Sequence, residues 1–452
     1  MKYSVIVNAI EKEISLGNLI PGVKIPSIRD LCTKYRCTKS TVLRAYSELK
    51  ELGLVYAIPG SGYYLINNFT ETSGHNTSID FSGTSLDKNS LPYNEFQPFI
   101  AQAINKYKED LFTYADPKGL DQLAEALRKH LQNHQVFTNI ERVFITTGSQ
   151  QALSLLSKMH FPNAKTNVVL EQPTYQGMLE CLKQNHIEAI GVSRDFDGLD
   201  FDGLERAFRN DNIKFFYTIP RFNNPLGLSY TNADKKKILA LAEKYNVYIV
   251  EDDYLGDLEG DSKSTPIFSF DQSDRVIYIK TFSKVLLPSL RIATVVLPKL
   301  LINTFREYKY WSDINTPLIS QGALEIYINS GMFNLHINKV RNMYSERMNF
   351  LKEFTEQQAS PSIRWHIPEK GGFYAGLEIL NMSKQKDIVA GLLKKNIILS
   401  DIESYYLKEF INDKFLRLSV TRVEPKIIES GIIEIINEIE NSTYTLGSNI
   451  HL

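Results

Sequence analysis

Val276-Ile277-Tyr278-Ile279-Lys280-Thr281-Phe282-Ser283-Lys284, with Arg291 seven residues on, is the stretch whose reading decides the fold of this chain. Its first four residues form a short apolar run of the kind found in fully buried strands, and that run delivers hydroxyls and a lysine to its C-terminal end. A lone lysine after a strand is nearly always a surface residue, so Lys284 gains meaning only from the rest of the chain. Similar runs recur at Val143–Ile145, Asn167–Leu170, Phe215–Ile219, Val247–Val250 and Ala293–Leu297, separated by stretches of helical period. Short buried strands alternating with helices imply an α/β architecture with a mostly parallel central sheet. From about residue 345 the alternation is less regular and implies a smaller α+β lobe.

Open α/β sheets gather ligands beyond the C-terminal ends of their strands, so the residues after each run are the chemical candidates. Val247–Val250 delivers Glu251-Asp252-Asp253-Tyr254. Only one acid need point inward, and Asp252 is chosen; a metal-binding acid cluster or a solvated strand end are the alternatives. Phe215–Ile219 leads to Asn223-Asn224-Pro225-Leu226-Gly227, where the Asn224 amide is a donor and an ordinary turn is the plainer reading. Thr147-Gly148-Ser149-Gln150 is a strand-to-helix junction whose free amides at Ser149 and Gln150 suit an anion. Glu171-Gln172-Pro173-Thr174-Tyr175 places the Tyr175 ring after a further strand. Thr281 and Arg291 can both hold a phosphate, Arg291 as a planar fork.

Taken together, these groups meet the needs of pyridoxal 5'-phosphate. Lys284 is an amine whose proton affinity falls in an apolar, positively charged site. Asp252 is the carboxylate that keeps a pyridine nitrogen protonated, so that the ring works as an electron sink. Tyr254 and Asn224 are donors to the phenolic oxygen. Ser149, Gln150, Thr281 and Arg291 form the anion site, and Tyr175 stacks on the ring. No metal is expected.

Residues 1–66 read as a separate basic module. They hold nine Lys or Arg residues against five acids, in a chain whose 51 basic and 52 acidic residues nearly balance overall. A basic head on a slightly acidic body suits a nucleic-acid contact at one end. Residues 3–17 have helical period. Ser27 caps a second helix from Ile28 to about Tyr35, and a third opens at Lys39 or Ser40 and runs to Leu52, with Gly53 closing it. Leu54–Ile58 and Tyr63–Ile66 flank a Pro59-Gly60-Ser61-Gly62 turn and read as a hairpin. The third helix would present its N-terminal residues to the major groove. Arg29, Thr38, Lys39, Ser40, Thr41 and Arg44 are the candidate DNA contacts, and Gly60 and Gly62 let a wing lie along the backbone. Residues 67–78 are small and polar and read as a flexible linker to a body spanning 79–452. Cys32, Cys37 and Cys181 make neither a disulfide framework nor a zinc pattern. With no signal-peptide-like run and no membrane-length apolar stretch, the expected location is a reducing cytoplasm.

The head, residues 3–66, resembles the winged helix-turn-helix domain of the GntR family through Pro26-Ser27, Arg29-Asp30-Leu31, Ser40-Thr41-Val42, Ala45-Tyr46, Leu49 with Gly53-Leu54, and Gly60-Ser61-Gly62. The body, from 79 to about 440, resembles the fold-type I aminotransferase superfamily. That resemblance takes in Tyr114-Ala115-Asp116-Pro117-Lys118-Gly119-Leu120 and implies that Tyr114 serves the phosphate of a neighbouring subunit. It takes in Phe415-Leu416-Arg417-Leu418-Ser419 and implies that Arg417 grips a ligand carboxylate, for which a bidentate fork is apt. Lys370-Gly371-Gly372-Phe373-Tyr374 is similar to a glycine-rich segment of the small lobe. Joined in this order, the halves resemble the MocR subfamily of GntR-family transcriptional regulators.

The MocR resemblance implies a homodimer, head-to-tail, that binds double-stranded operator DNA and senses a small amino-compound effector with little or no turnover. The expected mechanism is displacement of Lys284 by the effector to form an external aldimine, its acid group held by Arg417. One departure is Asn223-Asn224, where many such regulators carry His-Gln; this leaves room for residual transamination. Two other functions stay open: a working aminotransferase with a DNA-binding head, and a sensor of pyridoxal phosphate itself that controls vitamin B6 synthesis.

Overall fold

Seven strands make the central sheet of the body, in the order Val143–Thr146, Ala293–Val296, Val276–Thr281, Tyr248–Asp252, Ile213–Thr218, Asn167–Gln172 and Ala189–Ser193. The computed structural model describes residues 2–19, 22–58, 60–66, 78–260, 264–358, 360–369 and 371–448. Residues 67–77 of the expected linker, together with Pro21, Pro59 and Lys370, lie outside that set. Only Ala293–Val296 runs antiparallel to its neighbours. Every residue of the strands Val143–Thr146, Ile213–Thr218, Tyr248–Asp252 and Val276–Thr281 is buried, because helices cover both faces. The edge strand Ala189–Ser193 has no counterpart among the apolar runs of the sequence. It is mostly half-buried, and its Gly191 leaves room for the Phe410 ring, so it shows no continuous hydrophobic signal.

The smaller lobe is a three-stranded antiparallel sheet of Ile363–His366, Tyr374–Ile379 and Phe415–Ser419, backed by the helix Pro425–Ser448. The helix Met332–Glu356 enters this lobe, so the expected lobe boundary near 345 falls inside a continuous helix. Ile79–Asp80 pairs in parallel with Ile397–Ile398. This pairing draws the first residues of the body across the small lobe and aims Ser82-Gly83-Thr84 at the cleft between the lobes.

The head is built as its pattern dictates. Ile6, Ile10, Leu31, Val42, Tyr46 and Leu49 close a core between the helices Lys2–Ser15, Ile28–Tyr35 and Lys39–Glu51. Ser27 and Asp30 cap the second helix reciprocally. Thr38 caps the third, its hydroxyl accepting from Thr41 N–H at 3.4 Å. Val55–Ile58 and Gly62–Leu65 form the hairpin, with Gly60 at φ +75° and Gly62 at φ +133°. The hairpin is seated on the body. Tyr56, Ile58, Tyr64 and Ile66 share one apolar cluster with Phe96 and Phe99 of the helix Tyr93–Tyr107. Tyr56 stacks on Phe99 at 5.7 Å and donates to the Glu95 carbonyl at 3.1 Å. Among the described residues no helix is long and apolar enough to cross a membrane.

Candidate functional site

One cleft at the C-terminal ends of the sheet strands is lined by Ser149, Tyr175, Ile219, Asn224, Asp252, Tyr254, Thr281 and Lys284. These residues come from five separate stretches of the chain, each delivered by a strand end or the turn after it.

Lys284 follows the strand Val276–Thr281 and reaches back to donate to the Thr84 carbonyl at 2.8 Å. Burial, helped by the positive charges of Arg417 and Arg291, outweighs the opposing pull of Asp252 and lowers its ammonium to about 8. An amine poised there releases its proton close to neutral pH.

The three acids after Tyr248 part company, as strand alternation requires. Glu251 is turned away and accepts the amides of Ile267 at 2.8 Å and Phe268 at 2.9 Å. Asp253 is paired with Arg221, which overrides the cost of burial and holds it at about 2. Asp252 alone faces the cleft. One oxygen accepts from Tyr217 at 2.9 Å; the other, Oδ1, is buried and accepts nothing. Burial, with like charge from Asp253, raises this acid to about 7 despite Tyr217 and Lys284. An orphaned acceptor in that state calls for a cationic N–H donor.

Arg417, on the strand Phe415–Ser419, is fully buried. Its Nη1 donates to Asn224 Oδ1 at 3.0 Å and Tyr405 Oη at 2.7 Å, and its Nη2 donates to the Ser82 carbonyl at 3.0 Å and Ser400 Oγ at 2.5 Å. Nε donates to nothing, the guanidinium lies 4.7 Å from the Tyr374 ring centre, and its partners among the described residues include no carboxylate. Each of its hydrogen-bond partners is neutral. Because Asn224 accepts through its carbonyl, its NH2 is the end left for the cleft.

The anion end is shaped by backbone. Gly148, at φ +79°, opens the helix Ser149–Lys158 with no side-chain cap, so its first N–H groups stay available. A Cβ on Gly148 would come within 2.5 Å of Arg291 Nη2, so that guanidinium lies directly over the helix start. Thr281 and Ser149 flank the same end. Gln150 instead donates to Tyr175 Oη at 3.2 Å. Tyr254 donates to the Phe222 carbonyl at 2.6 Å, which spends the hydroxyl proton assigned above to a phenolic oxygen. Tyr114 is 83% exposed and contributes nothing to its own chain's cleft.

Several groups in this site went unread in the sequence, Ser82, Thr84, Tyr217, Ser400 and Tyr405, while Tyr374 was named only as part of the glycine-rich segment of the small lobe. Tyr217 carried a faint signal, as a hydroxyl within an otherwise apolar buried strand. The others had none.

In the head, Thr38, Lys39 and Ser40 are exposed and Thr41 half-buried at the start of the helix Lys39–Glu51, with Arg44 exposed on its next turn and Arg29 exposed on the helix Ile28–Tyr35. Gly60 stands differently. It lines a groove with Ser61, Tyr64, Pro98, Ala101 and Asn329, so the wing tip faces the body in this arrangement, and Gly62 packs against Lys24.

One group among the described residues has metal-ligating character, His130, His134 and Asp257. Its carboxylate is already held by buried Lys280 at 2.9 Å and by both imidazoles.

Comparison with known proteins places both halves. Residues 82–432 match the family model of class I and II aminotransferases, and residues 2–65 match that of bacterial regulatory proteins of the gntR family. The HTH-type transcriptional regulator YcxD of Bacillus subtilis is 41% identical over 95% of this chain and 98% of its own length. Aromatic-amino-acid aminotransferase 1 of Thermococcus litoralis is 28% identical over 78% of this chain and 86% of its own. Among solved structures, the kynurenine aminotransferase of Pyrococcus horikoshii superposes with a TM-score of 0.74 at 27% identity, covering 81% of this chain and 92% of that one.

Proposed function

The chain belongs to the class I and II aminotransferases and carries a gntR-family DNA-binding head, and on that premise we propose a transcription regulator whose body holds pyridoxal 5'-phosphate at Lys284 and reads a small amino compound bearing an acid group. The observation that carries this reading is the pair of unanswered charges flanking Lys284. Asp252 Oδ1 is a buried acceptor without a donor, and Arg417 is a buried cation without a carboxylate.

The residues fit the cofactor. Asp252 would hold the proton of a pyridine nitrogen, Asn224 would donate to the phenolic oxygen, Tyr175 would cover the ring, and Ser149, Thr281 and Arg291 would take the phosphate, with Gln150 behind Tyr175. When bound, pyridoxal phosphate supplies an electron-poor aldehyde that captures a primary amine. Lys284 supplies that amine in the resting protein and, near neutral pH, accepts or releases the proton exchanged with an incoming one. Arg417 holds the effector's acid group among neutral partners, where water does not screen the charge.

The effector acts on DNA only so far as it binds two body conformations unequally. In a head-to-tail homodimer, Tyr114 would serve the partner's phosphate and the heads would meet paired half-sites on double-stranded operator DNA.

The test is a spectroscopic titration of the holo protein with a panel of amino compounds, followed by duplex binding with the hits. An effector should change DNA affinity in the native protein and leave Lys284→Ala unmoved; equal response in both overturns the reading. A second reading, a working aminotransferase, is favoured by the full donor set at Asn224 and Arg417, and steady turnover of an amino donor with a keto acid would support it. Duplex affinity that moves with cofactor alone would support a sensor of the cofactor itself.

A further inference from the structure

We propose that Cys32 and Cys37 form a reversible disulfide in the helix-turn-helix, so that hydroperoxide weakens the head's hold on DNA. The proposal rests on the DNA-reading role of the head given above.

The geometry comes from how the helix Ile28–Tyr35 ends. Arg36 takes a left-handed conformation (φ 44°, ψ 54°), and the chain turns back so that both Arg36 N–H and Cys37 N–H donate to the Cys32 carbonyl, the latter at 3.2 Å. This is the closure of a helix C-terminus in which the residue beyond the cap lies over the last turn. Bond lengths on either side of that contact cap the Cα–Cα separation at about 7 Å, and a disulfide spans roughly 4.4–6.8 Å. That closure puts the side chains of Cys32 and Cys37 at the same end of the helix, both packed on the edge of the head core. Burial first, then the neighbouring Cys37 sulfur, push the Cys32 thiol up, while Lys39 pulls it down. Both cysteines are half-buried at the edge of the head core, within reach of a small oxidant. The third cysteine, Cys181, sits in the body against Ser157 at 3.8 Å.

The consequence for DNA follows from position. Cys37 directly precedes Thr38, the cap of the helix that presents Lys39, Ser40 and Arg44. Closing the sulfurs to about 2.05 Å draws Cys37 toward Cys32. The Thr38 cap and the first turn of the reading helix move with it. A bond so made, half-buried at the edge of the core, stays within reach of a small reductant, as a regulatory disulfide must.

The chemistry balances with one hydroperoxide. The Cys37 thiolate attacks the terminal oxygen; an S–O bond forms, the O–O bond breaks, and the departing alkoxide or hydroxide takes the thiol proton. Cys32 then attacks the Cys37 sulfur. The S–S bond forms, the S–O bond breaks, and hydroxide leaves with the Cys32 proton as water. Two thiols lose two electrons and the peroxide gains them; a dithiol reverses the change.

The experiment treats the full-length protein with hydrogen peroxide. Intact mass should fall by about 2 Da, the expected loss of two hydrogens. Trypsin should release Asp30–Lys34 linked to Cys37–Lys39, and labelable thiols should fall from three to one. Binding to duplex DNA selected by the reduced protein from a random-sequence pool should weaken at least ten-fold and recover with dithiothreitol. Cys32→Ser and Cys37→Ser should keep the reduced affinity and lose the response, and Cys181→Ser should retain it. The proposal is overturned if both thiols stay labelable after peroxide, or if the linked peptide appears with DNA affinity unchanged. If the reduced protein selects no duplex, the DNA-reading role fails, while mass and labelling still decide the disulfide.

Discussion

At the scale of single residues, Arg417 sets what the site will accept. A fully buried guanidinium held only by neutral partners is costly unless a ligand brings the opposite charge. Arg417→Lys keeps the charge but cannot reproduce four hydrogen bonds from one planar fork. Losing one charge-assisted bond costs about 1.5–3 kcal/mol. We therefore expect affinity for carboxylate-bearing amino compounds to fall ten-fold or more, while borohydride still fixes a pyridoxyl group to Lys284; unchanged affinity in a titration would dismiss Arg417 as the anchor. Removing the charge altogether has a second consequence. Arg417 is the larger of the two cations depressing Lys284. In native apo-protein the rate of cofactor capture should rise with pH around a midpoint near 8, and Arg417→Met should move that midpoint upward. The sequence disclosed Asp252 because strand alternation separates it from Glu251 and Asp253. It could not disclose Thr84 or Ser82. Their carbonyls meet Lys284 and Arg417 across 200 and 335 residues of chain, and a backbone carbonyl has no side chain to betray it.

In the central sheet the strands were legible where helices bury both faces, and for that reason the half-exposed strand Ala189–Ser193 was not; the buried small-lobe strands Tyr374–Ile379 and Phe415–Ser419 were not read as strands either. The sequence was also silent on how the helix Asp121–Gln132 is tied to the sheet. His130, His134, Asp257 and Lys280 meet there from three elements. Burial first, then Lys280, lower His134 to about 4, against the pull of Asp257. On the helix Met332–Glu356, burial likewise lowers His336 to about 4, and its ring bonds the carbonyl of Val285, next to Lys284. Both imidazoles are thus neutral in the fold and titrate near 6.5 when it opens. Their contribution is full above about 6.5 and is lost as pH falls from there toward 4, by up to about 3 kcal/mol each. Melting temperature should drop across that window, and a double His134→Gln, His336→Gln variant should show a flatter profile; parallel profiles would refute the assignment. Lys280→Ala leaves a buried carboxylate without its cation, an error costing roughly 3–5 kcal/mol. With that cation gone, the His134 titration followed by NMR should move up from about 4.

For the molecule as a whole, the question is how a ligand in the cleft is felt by the head. A continuous set of contacts joins them. Thr147, beside the anion end, donates to Asp313 at 2.9 Å, and Thr316 donates to the Ile145 carbonyl at 3.2 Å. The helix Leu318–Asn329 begins immediately after. It packs on the helix Tyr93–Tyr107 through Tyr327 and Phe99, 5.0 Å apart, and through Gly322 lying close to Ala103 and Tyr107. Phe99 in turn stacks on Tyr56 of the wing. Contact alone is not coupling; coupling needs an element with two arrangements that both sites bias. The wing is the candidate element, because its tip faces the body here and a DNA-bound wing must face a phosphate backbone. Phe99→Ala removes the ring on which the wing rests, at a cost of about 3–5 kcal/mol if the gap does not close. Tyr56→Phe removes only the bond to Glu95, about 1 kcal/mol. If the seat transmits the signal, Phe99→Ala should bind effector and duplex yet lose the effector-dependent change in DNA affinity, and Tyr56→Phe should lose part of it. Calorimetry should also split one unfolding transition into two in Phe99→Ala, as the head is freed from the body. A Phe99→Ala protein that kept the full effector response would show that the signal passes elsewhere, through the partner subunit or the chain between 67 and 77.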